Sequence, residues 1–429
     1  MARALRLLAV LALSAASACN GGGTAGSQTI SLQIFGDAAE IKAYKDLIAA
    51  FDRKQTGIRV QLISVPSQSD HAAKLSSGFA GGKPPDLFLI NYRRFGQYAG
   101  QGVLENMGPR LDRSASLMKA DFYEQAMDAF AFGGRQACLP QNISSLVVYY
   151  NRALFKRFGV AEPKAGWTWQ DFLATAKSLT RDTNGDRKTD VFGLGVEPNL
   201  IRMAPFVWQA GAEVVTDTLS PDKTAMLDGK ALEALRFFIE LRRVHHVVPE
   251  QDEAKSEDDE ARFARGTMAM FMDSRRAVTT LRATARLDWD VAPLPRKRRA
   301  ATILHSDAYC MSKASKVKDA AFRFVEFALG PEGAPIIART GRTVPSLRSV
   351  AESEAFLSPG QRPAGARVFL DAVPTIRRLP NIATWNEIET KANPIIEEWF
   401  YGPERIEALG IEIDLATREL FGERAQTSG

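Results

Sequence analysis

DLFLIN, residues 86–91, contains an unbroken apolar run, which is typical of a strand buried on both faces of a parallel sheet. Two further strand patterns precede it, ISLQIFG at 30–36 and IRVQLISV at 58–65. Between these two, apolar residues recur at helical spacing: Ile41, Tyr44, Leu47, Ile48 and Phe51. Strands that alternate with helices predict an α/β layer with helices on both faces of a sheet.

A second set of elements begins after LPQN, residues 139–142. SSLVVYYN at 144–151 reads as a strand, and WTWQDFLATAKSLT at 167–180 reads as a helix. Thr168 with Asp171 three residues later forms a capping-box pattern at the start of that helix. Because 429 residues exceed one comfortable hydrophobic core, we expect two lobes.

The composition is that of an ordinary globular protein, with 45% hydrophobic and 24% charged residues. The formal net charge of +5 falls to +3 if Arg3 and Arg6 are removed with a leader. Such a small excess is not the electrostatic footprint of a nucleic-acid-binding protein.

The start of the chain predicts export. A short basic lead (Arg3, Arg6), an apolar run from Leu7 to Leu13 and small residues up to Ala18 form a signal peptide over 1–18. Ser17-Ala18-Cys19 resembles the lipobox of bacterial lipoproteins, in which the cysteine is lipidated. Residues 19–28 then form a flexible tether at the periplasmic or outer face of the cell membrane. The alternative is an ordinary secretory signal cut near Ala18.

Two cysteines remain beyond Cys19, at positions 138 and 310. An oxidising compartment permits a disulfide between them. Each lies in an apolar, strand-like run, and free buried cysteines are common, so two free thiols are favoured.

The sequence contains no recognisable catalytic constellation. It has no G-x-S-x-G motif, and Pro84 replaces the Ser or Thr of a phosphate loop after Gly81 and Gly82. His245 and His246 are adjacent and lack the spacing of a helical zinc pair. We therefore expect no enzyme activity and no organic cofactor.

One metal-like motif stands out in DTNGDRKTD, residues 182–190. Asp182, Asn184, Asp186 and Asp190 occupy positions 1, 3, 5 and 9 of a calcium loop. The glycine stands at position 4, and no acidic residue follows at position 12. A structural calcium ion and a solvated acidic turn are the two interpretations.

Several segments together resemble the extracellular solute-binding proteins of bacterial ATP-binding-cassette importers, in the carbohydrate class. They are LIAAFDRKQTGIRVQLISV (47–65), KPPDLFLINY (83–92), LPQNISSLVVYYNRALFKRFGV (139–160), FARGTMAMFM (263–272), DVAPLP (290–295) and SKVKDAAFRFVEFALGPEG (315–333). The resemblance implies a two-lobed periplasmic-binding-protein-like fold (type II), with crossing hinge strands. It implies an N-lobe of 29–140 and 290–341 and a C-lobe of 141–289 and 342–429.

The same resemblance implies a monomer that captures a sugar, oligosaccharide or polyol between its lobes and delivers it to a membrane permease. In such folds, ligands bind where strands end. The candidates in the first half are Gly36, Asp37, Glu40, Asn91, Tyr92, Gln141 and Asn142. Trp208 and Trp385 are candidate stacking surfaces for a sugar ring, or simply packed tryptophans.

Two segments depart from the family pattern. Asp273 and Arg275 follow AMFM, and Ser306 and Asp307 stand where glycines are common. Arg275 suggests an anionic sugar or sugar phosphate, although a surface arginine is the simpler interpretation. Two other functions remain open: a lipid-anchored glycan-acting enzyme that uses Asp37 with Asp273 or Asp307, and a sensor that signals to a membrane receptor.

Overall fold

The computed structural model describes residues 27–403 and 405–422. Cys19 and most of the predicted tether therefore lie outside the described residues. The strands are β1 (Gln28–Phe35), β2 (Ile58–Val65), β3 (Leu87–Asn91), β4 (Ala131–Phe132), β5 (Arg135–Gln136), β6 (Cys138–Pro140), β7 (Ser144–Ser145), β8 (Val147–Asn151), β9 (Met270–Asp273), β10 (Trp289–Ala292), β11 (Thr302–His305), β12 (Asp307–Met311) and β13 (Ile376–Arg377).

The helices fill the intervals between these strands. They are α1 (Ala38–Lys54), α2 (Gln68–Ala80), α3 (Tyr92–Gly100), α4 (Gly108–Leu111), α5 (Glu124–Asp128), α6 (Arg152–Phe158), α7 (Trp169–Leu179), α8 (Leu200–Gln209), α9 (Gly229–Arg243), α10 (Gln251–Ser256), α11 (Asp259–Arg265), α12 (Val278–Ala283), α13 (Lys318–Leu329), α14 (Ala334–Ala338), α15 (Arg348–Ala351), α16 (Glu354–Leu357), α17 (Val368–Asp371), α18 (Trp385–Tyr401) and α19 (Leu409–Thr417). Short 3-10 turns lie at Lys119–Asp121, Arg275–Ala277, Val373–Thr375, Ile406–Ala408 and Arg418–Phe421.

The first lobe is built on a five-stranded sheet in the order β2-β1-β3-β12-β6. β1 pairs in parallel with β2 and β3, whereas β12 runs antiparallel to both β3 and β6. All five residues of β3 are buried, as the apolar run predicts for a strand covered on both faces. The helix predicted between the first two strands is α1, which buries Tyr44, Leu47 and Phe51.

The second lobe contains a three-stranded sheet in the order β10-β8-β9, and α8 and α9 pack together nearby. The predicted capping box is confirmed at α7, where Thr168 and Asp171 exchange side-chain-to-backbone hydrogen bonds. The α/β class and the two-lobed architecture predicted from the sequence are confirmed.

Crossing strands join the lobes. β7 pairs antiparallel with β11, and β13 pairs in parallel with β11, in a small sheet of their own. β7 lies between β6 of the first sheet and β8 of the second, while β11 leads directly back into β12. The chain therefore passes to the second lobe near 141–146 and returns near 302–306, as the hinge prediction requires.

The structure moves two of the predicted lobe boundaries. β10 begins at Trp289 and pairs with β8, so the strand at 289–292 belongs to the second sheet and the return to the first lobe comes later than residue 290. Residues 346–348 contact Phe122 and Tyr123 of the first lobe, so the chain has not left that lobe at residue 342. Pairing between distant strands decides which lobe each of these segments joins, and local sequence patterns do not reveal that pairing.

Cys138 and Cys310 form a disulfide, so the prediction of two free thiols is wrong. Antiparallel pairing of β6 with β12 places the two residues directly opposite each other, with their Cα atoms 4.5 Å apart. This separation lies within the range that a disulfide requires. The bond ties the strand that leaves the first lobe to the strand that returns to it.

The helices of the described part of the chain are too short or too polar to span a bilayer. The longest, α1 and α18, have 17 residues each, and both carry several charges.

We expect replacement of both Cys138 and Cys310 by alanine to lower the free energy of unfolding by about 2–4 kcal/mol, because the cross-link restricts the unfolded chain. Urea unfolding of the oxidised protein and of the double variant, both lacking Cys19, measures the difference. Thiol titration of the denatured, unreduced protein is the control. Two reactive thiols per chain would contradict the disulfide.

Candidate functional site

A cleft of about 250 Å³ lies between the two lobes. Its lining from the first lobe and the crossing segments is Phe35, Glu40, Gln68, Asn91, Arg93, Asn142, Asp307, Arg342 and Thr343. Its lining from the second lobe and the hinge is Ser144, Glu197, Ile201, Arg202, Asp273, Ser274, Arg276 and His305. Most of these side chains are polar or charged, and Phe35 and Ile201 add apolar surface, so the cleft combines many hydrogen-bonding groups with apolar area.

Asp307 anchors the first-lobe wall. β12 and β3 pair in a register that sets Asp307 opposite Asn91, and Asn91 Nδ2 donates to Asp307 Oδ1 at 3.1 Å. Asn142 Nδ2 donates to the other carboxylate oxygen, also at 3.1 Å. Burial raises the pKa of Asp307, although the two amide bonds act in the opposite direction. The two amides hold the carboxylate in a fixed orientation at the cleft.

Glu40 and Arg342 form a second polar group on the same wall. Arg342 Nε lies 2.8 Å from Glu40 Oε2, and Arg342 Nη1 donates to Asp37 Oδ2 at 2.8 Å. Asp37 also caps α1, where it accepts from the backbone N–H groups of Ala39 and Glu40. Gly36 has a φ of +153°, which L side chains rarely adopt, and a Cβ at this position would lie 2.9 Å from Glu40 Cβ. Burial raises the pKa of Glu40 to about 7, against the opposing charge of Arg342.

Asp273, the last residue of β9, organises the second-lobe wall. Its Oδ1 accepts from Arg202 Nη2 at 3.2 Å and from the backbone N–H of Ser274 at 2.6 Å. Its Oδ2 pairs with Arg276 Nη2 at 3.0 Å. Arg202 also lies 3.3 Å from Glu197. Donors and acceptors therefore stand side by side on this wall as well.

Two polar side chains of the second-lobe wall have unused hydrogen-bonding atoms. Arg202 is only 4% exposed, and its Nε and Nη1 atoms are buried without a partner in the described residues. His305 Nε2 is likewise buried and unpartnered there. Burial lowers the pKa of His305 well below its ordinary value, so the ring is neutral at physiological pH. Unsatisfied buried groups are costly, so all three atoms are candidates to bind a ligand.

The guanidinium groups in the cleft are each balanced by at least one carboxylate. Arg93 pairs with Glu389 of α18 at 2.5 Å. Arg202 pairs with Asp273 and Glu197, Arg276 with Asp273 and Glu260, and Arg342 with Asp37 and Glu40. The cleft thus presents paired charges.

The structure brings five of the predicted binding residues to the cleft wall: Glu40, Asn91, Asn142, Asp273 and Asp307. Four others support this wall from behind. These are Gly36, Asp37, Gln141, whose Oε1 accepts from Asn142 Nδ2 at 2.6 Å, and Ser306, whose Oγ donates to the carbonyl of Asn142 at 2.5 Å. Tyr92 is completely buried within the first lobe and is not part of the cleft lining.

The structure does not bring Arg275, Trp208 or Trp385 to the cleft. Arg275 is fully buried, stacks between Phe356 and Phe369, and donates from Nε to the carbonyl of Gly341 at 2.7 Å. It is therefore neither an anion-binding residue of the cleft nor a surface arginine. Trp208 is buried in α8 beneath Arg377, and Trp385 is buried at the start of α18, where its Nε1 donates to Glu389. Both tryptophans pack within the fold.

Sequence reasoning missed several cleft residues, above all Phe35, Arg93, Arg202, His305 and Arg342. Phe35, Arg93 and His305 are each the direct neighbour of a predicted site residue. The position of strand ends would therefore have predicted them if one more residue had been included on each side. Arg202 lies in α8 and Arg342 in a loop that contacts the first lobe, and the sequence carries no signal for either.

The calcium interpretation stays a prediction. Within 27–403 and 405–422, no group of three or more His, Cys, Asp or Glu side chains is arranged to hold a metal ion. Asp182 accepts backbone N–H bonds from Asn184, Gly185 and Arg187, and Asp190 accepts from Thr183. Asp186 caps Lys188 in the same way. These contacts are those of a tight acidic turn.

A polar cleft between two α/β lobes that are joined by crossing strands is the architecture of solute-binding proteins, which close on a ligand between their lobes. Residues 36–335 match the family described as bacterial extracellular solute-binding protein. The chain belongs to this family, which places its function outside the cytoplasm.

Relatives and solved structures support the assignment. An ABC substrate-binding protein from Listeria monocytogenes, solved in complex with cycloalternan, has 25% identity and a TM-score of 0.83 over 92% of this chain and 99% of its own. The diacetylchitobiose-binding protein of Streptomyces coelicolor is 23% identical over 75% of this chain and 73% of its own. The erythritol/L-threitol-binding protein of Mycolicibacterium smegmatis is 26% identical over 68% of this chain and 64% of its own.

We expect the contribution of Glu40 to stability to depend on pH. Because its pKa in the folded protein is about 7, against about 4.3 in an unfolded chain, folding favours the protonated carboxyl. This stabilisation is complete below about pH 4.3 and is lost as the pH rises to about 7. The free energy of unfolding of the wild type, minus that of Glu40→Gln, should therefore fall by up to about 3 kcal/mol across this range.

Urea unfolding at pH 4 to 8 measures this difference, and Glu419→Gln at an exposed position is the control. A Glu40→Gln difference as flat as that of the control would contradict the burial argument.

Proposed function

We propose that this protein is the substrate-binding component of an ATP-binding-cassette importer, and that it binds a neutral carbohydrate or polyol in the cleft between its lobes. The observation that carries the proposal is the arrangement of the cleft, in which each carboxylate of the wall stands beside a hydrogen-bond donor. Closure of the lobes around the ligand then gives the membrane permease a distinct shape to recognise.

Paired donors and acceptors match hydroxyl groups. A hydroxyl donates one hydrogen bond and accepts others, so it can bind between a guanidinium and a carboxylate or between an amide and a carboxylate. Arg202 beside Asp273 and Asn91 beside Asp307 are such pairs, one on each wall. A polyhydroxyl ligand satisfies both walls at once.

The same pairing argues against an anionic sugar or sugar phosphate. An anion site needs positive charge that is not already neutralised, and the arginines of the cleft are paired with carboxylates. Arg275, the residue that suggested an anion, lies away from the cleft. A neutral ligand leaves the ion pairs of both walls intact.

The named relatives include binders of a cyclic oligosaccharide, an acetylated disaccharide and two small polyols. All four ligands are polyhydroxyl compounds, which supports the assignment of chemical class to this chain. They differ widely in size, so the relatives leave ligand length open.

The hydrogen-bond and ion-pair partners of the carboxylates also suit a binding role better than a catalytic one. Asp307 is held by two amides, and Asp273 by two arginines and a backbone N–H. Asp37 caps α1, pairs with Arg342 and does not line the cleft. Each carboxylate that a glycan-acting enzyme would need is already paired with arginines or amides, which suits hydrogen bonding to hydroxyl groups, and we propose no enzyme activity.

We also propose that lipid on Cys19 holds the protein, as a monomer, at the outer face of the cell membrane. A tether of this kind keeps the binder near its permease and raises its effective concentration there.

We expect neutral sugars or polyols to raise the melting temperature of a soluble form that starts at Gly21. A ligand at about 100 times its dissociation constant stabilises the folded state by about 2.7 kcal/mol, which is a shift of several degrees. The panel contains mono- and oligosaccharides, acyclic polyols, uronates, sugar phosphates and amino acids. A response confined to anions or amino acids would contradict the proposal.

A matched pair of variants locates the binding site. Asp273→Asn removes one charge of the second-lobe wall and should weaken the binding of the active sugar by about tenfold or more. Asp371→Asn, at an exposed position in α17, should leave the affinity unchanged. Equal affinities for the two variants would place the ligand elsewhere.

We expect Cys19→Ala to move the protein from the detergent phase to the aqueous phase in Triton X-114 partitioning of bacterial cells. One or two acyl chains provide most of the membrane affinity of a lipoprotein, and the variant lacks their attachment site. Metabolic labelling with a fatty acid is the control and should mark only the wild type. A wild-type protein in the aqueous phase would favour an ordinary secretory signal.

A further inference from the structure

A second cavity, of about 330 Å³, adjoins the cleft within the second lobe. Glu197, Arg202, Asp273 and Arg276 line both spaces, so these side chains form a common wall. The far side of the second cavity is formed by the start of α11 and by Thr280 of α12.

Arg202 is the residue of this wall with unused donors. Its Nη2 atom is engaged by Asp273 and Glu197, while the buried Nε and Nη1 atoms have no partner in the described residues. A buried guanidinium with free N–H groups is expensive unless a ligand supplies acceptors. Since Arg202 faces both spaces, that ligand need not be confined to the cleft.

Asp259 offers the complementary acceptor. It is the first residue of α11, and its carboxyl has no hydrogen bond or ion pair within the described residues. Gly195 packs directly against it, since a Cβ there would lie 2.6 Å from Asp259 Cγ. Burial, with the nearby charge of Glu197, raises the pKa of Asp259 to about 7. The carboxyl is therefore held in place by packing, with its oxygens uncommitted.

The volumes favour an extended ligand. Ligand pockets usually measure about 300–1,000 Å³, and the cleft alone falls below this range. A third cavity, of about 550 Å³, continues the row and shares Glu197, Asp258 and Asp259 with the second. The series runs from the hinge towards the end of α18.

We propose that the second cavity is a second subsite, in which Arg202 donates to and Asp259 accepts from the hydroxyl groups of a further sugar unit. The ligand is then an oligosaccharide of at least two units, and a monosaccharide or short polyol fills only the cleft. This inference rests on the proposed function and adds the length of the ligand to it.

The test compares affinities for one and two sugar units by calorimetry. Suitable probes are glucose with maltose and N-acetylglucosamine with diacetylchitobiose. For the series that binds, the wild type should bind the disaccharide at least about tenfold more tightly than the monosaccharide, as one or two extra charge-assisted hydrogen bonds predict.

Two variants address the second cavity by different means. Asp259→Ala removes the acceptor, and Thr280→Trp fills the space from the exposed face of α12. Each should lower the disaccharide-to-monosaccharide affinity ratio by about fivefold or more, since each removes contacts of the second unit. Asp252→Ala, at an exposed position in α10, is the control and should keep the wild-type ratio.

The outcomes separate the two proposals. Equal wild-type affinities for one and two units, or a ratio that neither variant changes, would overturn the second subsite and leave carbohydrate binding intact. A protein that binds none of the neutral sugars and polyols of the melting-temperature panel would overturn the proposed function and the subsite together. Melting temperatures without ligand show whether each variant is folded.

Discussion

The structure depends on the insertion of β12 into the sheet of the first lobe. β12 enters between β3 and β6 after the chain has built most of the second lobe. Its antiparallel register completes the sheet, brings Asp307 opposite Asn91 and aligns Cys310 with Cys138. Because the strand before it, β11, pairs with β7 in the hinge, one short segment connects the core, the crossing and the cleft.

The chemistry of the cleft follows from charge balance. Burial of an isolated charge has a high cost in free energy. Pairing each arginine with a carboxylate lowers that cost, so a narrow cleft can still be lined with strong hydrogen-bonding groups. Such a lining favours ligands that both donate and accept. On the second-lobe wall, Arg202 and His305 carry buried atoms that have no hydrogen-bond partner in the described residues, and these atoms keep hydrogen-bonding capacity free at the cleft.

The sequence predicts the architecture well and the site only in part. Apolar periodicity locates β1, β2, β3 and α1 because each must bury one face or both. Asn91 is predictable as a site residue because strand ends meet at one edge of a sheet, and Asp307 because it departs from the family pattern. Residue type alone misleads at Arg275, whose guanidinium stacks between two phenylalanines. Arg202 escapes detection because only the folded chain shows that its donors lack partners.

The disulfide is a second feature that local sequence patterns cannot predict. Cys138 and Cys310 are 172 residues apart, and each lies in an apolar run that suits a free buried thiol equally well. Only the pairing of β6 with β12 decides between the two states. Long-range register is the information that local patterns lack.

The ion pair between Arg93 and Glu389 has a mechanical consequence. Arg93 faces the cleft from α3, whereas its counter-ion lies on α18, which also packs against α8 and α9 of the second lobe. Separation of α3 from α18 would strand a mostly buried guanidinium, at a cost of about 3–5 kcal/mol for a fully buried pair. The ion pair therefore holds the start of α18 against the first lobe, whereas Asn393 and Tyr401, later in the same helix, accept hydrogen bonds from Leu200 and Arg242 of the second lobe. One helix thus links both lobes outside the crossing strands.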